Sequence, residues 1–304
     1  MKIAIVGFGS IGARHAEILN RVFGHEVRIV SSRPNSDYAR YPAISQMLQD
    51  YQPEYVIISN PTYEHYSSLQ MLAELNYDGH VLVEKPIFSD IPNSFDFSFQ
   101  SIRVLYNLRF HPILQELKSV LADEQMISAQ VYAGQYLPTW RPRVSIEDNY
   151  SSHKSKGGGV IRDLSHELDY STWLFGKWNH VSAIGGKYSS MKITSDDSFS
   201  LLMVTDKCPA VSIQINYLDR ISQRKVIINT DKTTILADLV HGTIQMNQVQ
   251  KSFQTERNFT YVKQYEAIFN DSKDVCSLTE GLEVMRLINA AERSAEQKVW
   301  VPND

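Results

Sequence analysis

The stretch that decides the fold is Lys2-Ile3-Ala4-Ile5-Val6-Gly7-Phe8-Gly9-Ser10-Ile11-Gly12. A mostly apolar run leads straight into a Gly-x-Gly-x-x-Gly turn, after which Ile11, His15, Ile18, Leu19 and Val22 recur at helical spacing. Strand, tight glycine turn and helix in that order open a parallel βαβ sheet. In such a turn Gly7 permits the bend, Gly9 lets the backbone approach a pyrophosphate, and Gly12 lets helix and strand pack closely. The helix N-terminus at Ser10 and Ile11 favours the negative charge. Taken alone the glycines could be a chance loop, but their place between strand and helix makes them a dinucleotide-binding candidate.

Working outward, apolar runs at 27–30, 55–58, 80–84 and 102–106 alternate with helical segments. One helical segment carries Leu69, Leu72 and Leu75; another starts at Pro112 with Ile113, Leu117, Val120 and Leu121 on one side. This is the α/β pattern of a doubly wound parallel sheet. Beyond residue 121 the texture changes, and Val211, Ile213, Ile215 and Tyr217 alternate with Ser212, Gln214 and Asn216, as in a sheet with one buried face. Further strands are predicted at 127–136, 181–188, 199–205, 225–229, 234–239 and 243–246, with one helix at 160–175 and a last one at 278–297. We therefore expect a dinucleotide-binding domain over 1–121 and an α+β domain with a largely antiparallel open sheet over 122–304. The terminal helix is expected to pack back on the first domain.

The 304 residues, 43% hydrophobic and 21% charged, are those of an ordinary globular chain. A net charge of -4 with both signs interspersed offers no footprint for a phosphate backbone, so nucleic acid is not an expected partner. No run approaches the ~18 apolar residues of a membrane span. The sequence enters its first strand without a basic leader or cleavage site, and a cytoplasmic protein is the expectation. Cys208 and Cys276 lie far apart with no Cys-x-x-Cys, which supports neither a disulfide framework nor a zinc site.

Several residues carry candidate chemistry. Where a carboxylate would meet the ribose of NAD, the second strand ends in Ser31-Ser32-Arg33. An arginine can pair with a 2′-phosphate, so NADP(H) is favoured, with NAD(H) kept open by Asp37 nearby. Asn60-Pro61-Thr62 ends the strand at 55–58 on the edge where a cofactor would lie, although these residues also simply make turns. His65 is equally a cap, a packing residue or a cofactor contact. Glu84-Lys85 ends another strand. An ammonium there could hold a substrate hydroxyl and stabilise the developing alkoxide, with Glu84 fixing its position; the alternative is a surface ion pair. In Gly157-Gly158-Gly159-Val160-Ile161-Arg162-Asp163-Leu164-Ser165-His166-Glu167-Leu168-Asp169, the residues Asp163, His166 and Asp169 recur at spacings of three. A histidine oriented by a carboxylate suits transfer of a hydroxyl proton. The alternative is a helix cap followed by solvated acids, and a metal is the weaker reading because no His-x-x-x-His or cysteine pair is present.

With these motifs in order, the chain resembles the glucose–fructose oxidoreductase and inositol dehydrogenase (Gfo/Idh/MocA) family of NAD(P)-dependent oxidoreductases over nearly its whole length. The resemblance rests on Gly7 to Gly12, Asn60-Pro61-Thr62 with His65, Glu84-Lys85-Pro86, Tyr106-Asn107-Leu108-Arg109-Phe110-His111-Pro112, the triple-glycine segment through Asp169, and the terminal helix ending near Trp300. It implies a Rossmann domain followed by an α+β domain whose open sheet serves as a homodimer or homotetramer interface. It also implies a Lys85 and His166 catalytic pair, a cis Lys85-Pro86 bond, and Asn107, Arg109 and Asp169 among the substrate contacts. Many relatives place an aspartate four residues before the histidine; here Arg162 stands there and Asp163 lies three before. The segment Gln135-Tyr136-Leu137-Pro138-Thr139-Trp140-Arg141-Pro142 looks like a subgroup encoded with bacterial surface-sugar pathways, including those of nonulosonic acids. Trp140 could stack on a sugar face while Arg141 meets a phosphate, or the tryptophan simply anchors a loop.

The expectation is hydride transfer between nicotinamide and a secondary alcohol or ketone of a sugar derivative. Two other readings stay open: a dinucleotide-sensing regulatory protein on the same fold, and a dehydrogenase for a non-sugar substrate such as a dihydrodiol or a tetrapyrrole.

Overall fold

A computed structural model describes residues 1–32, 37–92, 97–140 and 145–303. The first sheet consists of β1 (Lys2–Val6), β2 (Glu26–Val30), β3 (Ala39–Tyr41), β4 (Tyr55–Ile58), β5 (His80–Val83) and β6 (Ser101–Val104). Its order is β3-β2-β1-β4-β5-β6 with every pair parallel. The central strands are apolar almost throughout because helices cover both faces of a parallel sheet. Strand order reverses between β1 and β4, so the residues after them, Gly7 and Ser59-Asn60, stand at the switch point where such sheets bind ligands.

Helix α1 (Ser10–Glu17) follows the glycine turn and runs on as one wide turn over Ile18–Val22. The expected face of five is buried at His15, Ile18 and Leu19, but Val22 is exposed. The wider i→i+5 turn rotates it off the face that a regular helix would keep. α2 (Ile44–Tyr51) and α3 (His65–Glu74) complete the crossovers. Sequence reading left β3 and α2 unplaced because both are short and β3, Ala-Arg-Tyr, has no alternation to show.

The second sheet has nine strands: β7 (Met126–Gly134), β8 (Trp178–Gly186), β9 (Ser198–Thr205), β10 (Val211–Asn216), β11 (Gln223–Thr230), β12 (Thr234–Asp238), β13 (Thr243–Met246), β14 (Val249–Ser252) and β15 (Val301–Pro302). They lie in the order β14-β13-β12-β11-β7-β10-β9-β8-β15, antiparallel except for the central β7–β10 pair. The alternation on β10 holds, with Val211, Ile213 and Ile215 buried. Around it lie α4 (Pro112–Leu121), α5 (Leu137–Trp140), α6 (Val160–Asp163) and α7 (Ser165–Phe175). The helix predicted at 160–175 is thus two helices, broken where Leu164 leaves helical geometry at φ -96° and ψ 31°. α8 (Phe259–Phe269) and α9 (Leu278–Gln297) follow.

The chain forms two compact units, Met1–Asn107 with Tyr261–Leu282, and Leu108–Thr260 with Glu283–Asp304. Within the first, Val104 N–H donates to the Cys276 carbonyl at 2.9 Å, and Gly281 stands where any Cβ would meet the Val104 side chain at 2.5 Å. None of the described helices is long and apolar enough to cross a membrane.

Candidate active site

The glycine turn is built by contacts to the end of β4. Gly7 has φ +93°, and a Cβ on it would lie 2.5 Å from the Asn60 amide nitrogen. A Cβ on Gly12 would strike the Gly7 carbonyl oxygen and come within 2.8 Å of Ser59 Oγ. Ser59 Oγ in turn donates to the Gly7 carbonyl at 2.9 Å, a tie that sequence reading did not find. Gly9 differs, because a Cβ there would meet nothing within 4 Å. It caps α1 in extended geometry with no side chain on the first-turn N–H groups and no acid in that turn. An uncapped helix start at Ser10 and Ile11, next to open space, fits the pyrophosphate of a dinucleotide.

At the end of β2, Ser31 N–H donates to the Tyr41 carbonyl at 3.1 Å, and Arg40 Nη1 donates to the Ser32 carbonyl at 3.3 Å. Arg40 on β3 is a cation beside this strand end that sequence reading passed over, since an arginine seven residues beyond Arg33 carries no motif. Arg33 itself lies outside the described residues. Asn60 donates to Glu64 at 3.1 Å and to Ser68 at 2.9 Å. Pro61 precedes a single 3-10 turn over Thr62–Glu64 that leads into α3. His65 is buried, with Nε2 3.1 Å from the Asn60 carbonyl and Nδ1 3.1 Å from that of Ile87. It therefore staples the ends of β4 and β5, and burial pushes its pKa below the ordinary histidine range.

Glu84 and Lys85 follow β5, and the Lys85-Pro86 bond is cis. Glu84 is only 9% exposed, which excludes a surface ion pair. Its carboxylate accepts the Lys85 backbone N–H at 3.1 Å, and His15 Nε2 lies 2.8 Å from its other oxygen. Asn107 is buried in the same unit. With the Gln264 amide turned oxygen-inward, it accepts the N–H groups of Tyr106 and Asn107 at 3.2 Å.

In the second unit Asp163 ends α6, buried, and accepts the Tyr150 hydroxyl at 3.0 Å and the Tyr217 hydroxyl at 2.6 Å. Burial and the Asp163 charge push the Tyr217 hydroxyl well above the ordinary tyrosine range, so it is a permanent donor. The ring of Trp140 stands edge-on to Tyr217 at 5.2 Å, which ties the 135–140 segment to Asp163 through one tyrosine. Arg141 lies outside the described residues. On α7, His166 and Asp169 stand three apart, nearly one turn, and the break at Leu164 separates both from Asp163. Asp169 pairs with Arg109: Nη2 lies 2.6 Å from Oδ1 and Nε 3.0 Å from Oδ2, with both side chains 1% exposed. Two residues expected separately at the substrate are each other's partners. No group of metal-ligating residues occurs among the described residues.

The pattern of motifs and both units match a single family description. An oxidoreductase family with an NAD-binding Rossmann fold accounts for residues 1–96, and the C-terminal α/β domain of the same family for residues 128–302. The chain belongs to the Gfo/Idh/MocA oxidoreductase family. An uncharacterised oxidoreductase of Synechocystis is 25% identical over 151 residues, covering 47% of this chain and 40% of that protein. The chain thus spans less than half the length of this curated relative. Among solved structures, the WlbA dehydrogenase of Bordetella pertussis, in complex with NADH and UDP-GlcNAcA, superposes with a TM-score of 0.79 at 17% identity over 100% of this chain and 98% of that one. A levoglucosan dehydrogenase in complex with NADH gives 0.83 at 15% identity over 99% and 98%. At such identities the likeness shows the shared Gfo/Idh/MocA fold.

Proposed function

We propose that this Gfo/Idh/MocA member is an NAD(P)-dependent oxidoreductase that transfers a hydride between nicotinamide and a secondary alcohol or ketone of a sugar or sugar derivative. The observation that carries the reading is Glu84-Lys85 at the carboxyl end of β5, in the same parallel sheet as the glycine turn after β1. Gly7, Gly9, Ser10, Ile11 and Gly12 hold the pyrophosphate end, and Asn60, Pro61, Thr62, His65, Glu84 and Lys85 line the remaining strand ends. Bound nicotinamide supplies the hydride acceptor or donor. Lys85 holds the substrate hydroxyl and stabilises negative charge on its oxygen, and His166 takes the hydroxyl proton during oxidation and returns it during reduction. Asp163, which holds the Tyr150 and Tyr217 hydroxyls, is assigned to the catalytic group three residues before His166.

Support for a sugar comes from the named relatives, one of which is complexed with UDP-GlcNAcA, and in this reading Trp140 stacks on the sugar face. Asn107, Arg109, Arg141 and Asp169 complete the substrate group, and a role in bacterial surface-polysaccharide or nonulosonic-acid synthesis follows the 135–142 segment. NADP(H) is preferred over NAD(H), because Ser31, Ser32 and Arg33 replace a ribose-binding acid, while Arg40 adds a second cation. Residues 1–121 hold the cofactor and bring Lys85, Asn107 and Arg109 to the substrate, and 122–304 supply the other substrate contacts and a homodimer or homotetramer interface on the second sheet, in the cytoplasm.

Fluorescence titration with NADPH and NADH, repeated for Arg33→Ala, tests the cofactor. Binding of neither overturns the reading at its base. Lys85→Ala and His166→Ala are each expected to abolish turnover of any nucleotide sugar found to be oxidised, while full turnover in either removes that residue from the mechanism.

A further inference from the structure

Glu84 sits directly before Lys85, and a carboxylate taken out of water has to have its lone pairs met. The Lys85 backbone N–H meets one oxygen, and His15 Nε2 lies 2.8 Å from the other. The far nitrogen of the same ring, Nδ1, lies 2.8 Å from the hydroxyl of Tyr265. His15 and Tyr265 are both fully buried. Burial, and after it the Glu84 charge, push the Tyr265 hydroxyl well above the ordinary tyrosine range, so it keeps its proton and donates. His15 then accepts at Nδ1 and donates from Nε2–H, the arrangement in which every donor faces an acceptor. Tyr265, His15 and Glu84 form one directed chain that ends at the Lys85 backbone.

The surroundings hold this chain rigidly. Tyr265 stacks on Phe269 at 5.8 Å, meets the edge of Phe23 at 6.1 Å, and the Tyr261 ring stands against His15 at 5.8 Å. The neighbouring Gln264 takes the backbone of Tyr106 and Asn107, so successive residues of α8 serve two strand ends of the first sheet. His15 also belongs to α1, the helix whose first turn faces the proposed pyrophosphate. Apolar side chains could fill the same volume with nothing left to satisfy. A wholly buried tyrosine–histidine–glutamate chain in their place has a purpose if its end point must be placed.

We infer that His15 and Tyr265 are positioning residues of the Lys85 site, holding the Glu84 carboxylate and through it the Lys85 backbone. This rests on the reading of Lys85 as the group that meets the substrate hydroxyl.

The experiment needs no substrate. Trace acetylation with acetic anhydride, read by peptide mass spectrometry, gives the reactivity of Lys85 relative to the exposed Lys225 and Lys232. Tyr265→Phe and His15→Leu are expected to change the relative rate of Lys85 by about threefold or more, while His15→Gln, which can still donate to Glu84, stays within about twofold. Tyr265→Phe removes one oxygen and keeps the packing, so it decides the matter if His15→Leu fails to fold. The inference is overturned if folded Tyr265→Phe, with the melting temperature of the parent, leaves the Lys85 rate unchanged. Repeating the labelling of the unsubstituted protein with NADPH or NADH separates the two claims. Failure of both to protect Lys85, at concentrations where the titration shows binding, overturns the place of Lys85 beside the nicotinamide, whatever the variants do.

Discussion

Removing one member of the Arg109–Asp169 pair should unfold the second unit more readily than any surface change. Asp169 receives Nε and Nη2 of Arg109 through three contacts of 3.1, 3.0 and 2.6 Å. Neither side chain is more than 1% exposed, so water cannot replace the missing partner. Asp169→Leu leaves a guanidinium buried beside the Trp173 ring, 5.7 Å from its centroid, in a field already containing Lys118 Nζ at 4.1 Å from the same ring. Stranding one charge of a buried pair costs about 3–5 kcal/mol. With a urea m-value of ~3 kcal/mol per M, the midpoint falls by more than about 1 M. Arg109→Met strands the carboxylate and should cost a similar amount, whereas the double variant Arg109→Met with Asp169→Leu removes both charges of the pair and should recover most of the loss. Equilibrium urea unfolding followed by tryptophan emission and by far-ultraviolet circular dichroism measures all four proteins, and the two probes must coincide for the free energies to be read as such. If either single variant costs less than about 1 kcal/mol, or the double variant loses the sum of both, the reasoning about a dry, mutually dependent pair is wrong.

Two glycines should separate folding from cofactor binding. Gly12→Ala pushes a methyl group into the Gly7 carbonyl and Ser59 and is expected to lower the melting temperature, while Gly9→Ala, which meets nothing within 4 Å, should keep the melting temperature and weaken NADPH binding. Equal NADPH affinity in Gly9→Ala and the parent would count against a pyrophosphate at that turn. His111 caps α4 and is pushed down to about 4 by burial and by the Arg224 charge. Its contribution, about 3 kcal/mol at most, is therefore full above the ordinary histidine pKa near 6.5 and is lost as pH falls through 4. His111→Asn should flatten the stability curve between those values, and parallel curves for the two proteins would remove His111 as the cause. Asp196, which accepts the Ile161 N–H at the start of α6, is pushed up to about 6, chiefly by burial. The stability tied to its proton is present below about pH 4 and lost as pH rises through 6, about 3 kcal/mol at most. Asp196→Asn should gain stability against the parent from pH 5 to 7.5, measured by thermal melting; no change in the difference across that range would refute the assignment.

Part of this protein is fixed by local sequence alone. The run from Lys2 to Gly12 specifies strand, turn and helix through its apolar residues and glycine spacing, although the close approaches at Gly7 and Gly12 also involve Ser59 and Asn60, and the period of the apolar residues on β10 specifies one buried face. Glu84-Lys85 was legible for the same reason: the apolar run before it ends the strand and places the pair on the carboxyl edge of the sheet. What lay outside that reach was partnership. Arg109 and Asp169 are 60 residues apart, Asp163 and Tyr217 are 54, and His15 and Tyr265 are 250. Sequence shows that a residue can donate or accept, but the partner is chosen by which groups lose water together, and that is settled only when distant segments meet. The same cause hid the place of Tyr261–Leu282 in the first unit, since the rings of Tyr265 and Phe269 meet Phe23, His25 and Tyr55, which lie more than two hundred residues away in sequence. Spacing determined the fold and the chemical groups on the carboxyl edge of its first sheet; desolvation in three dimensions determined which groups hold one another in place.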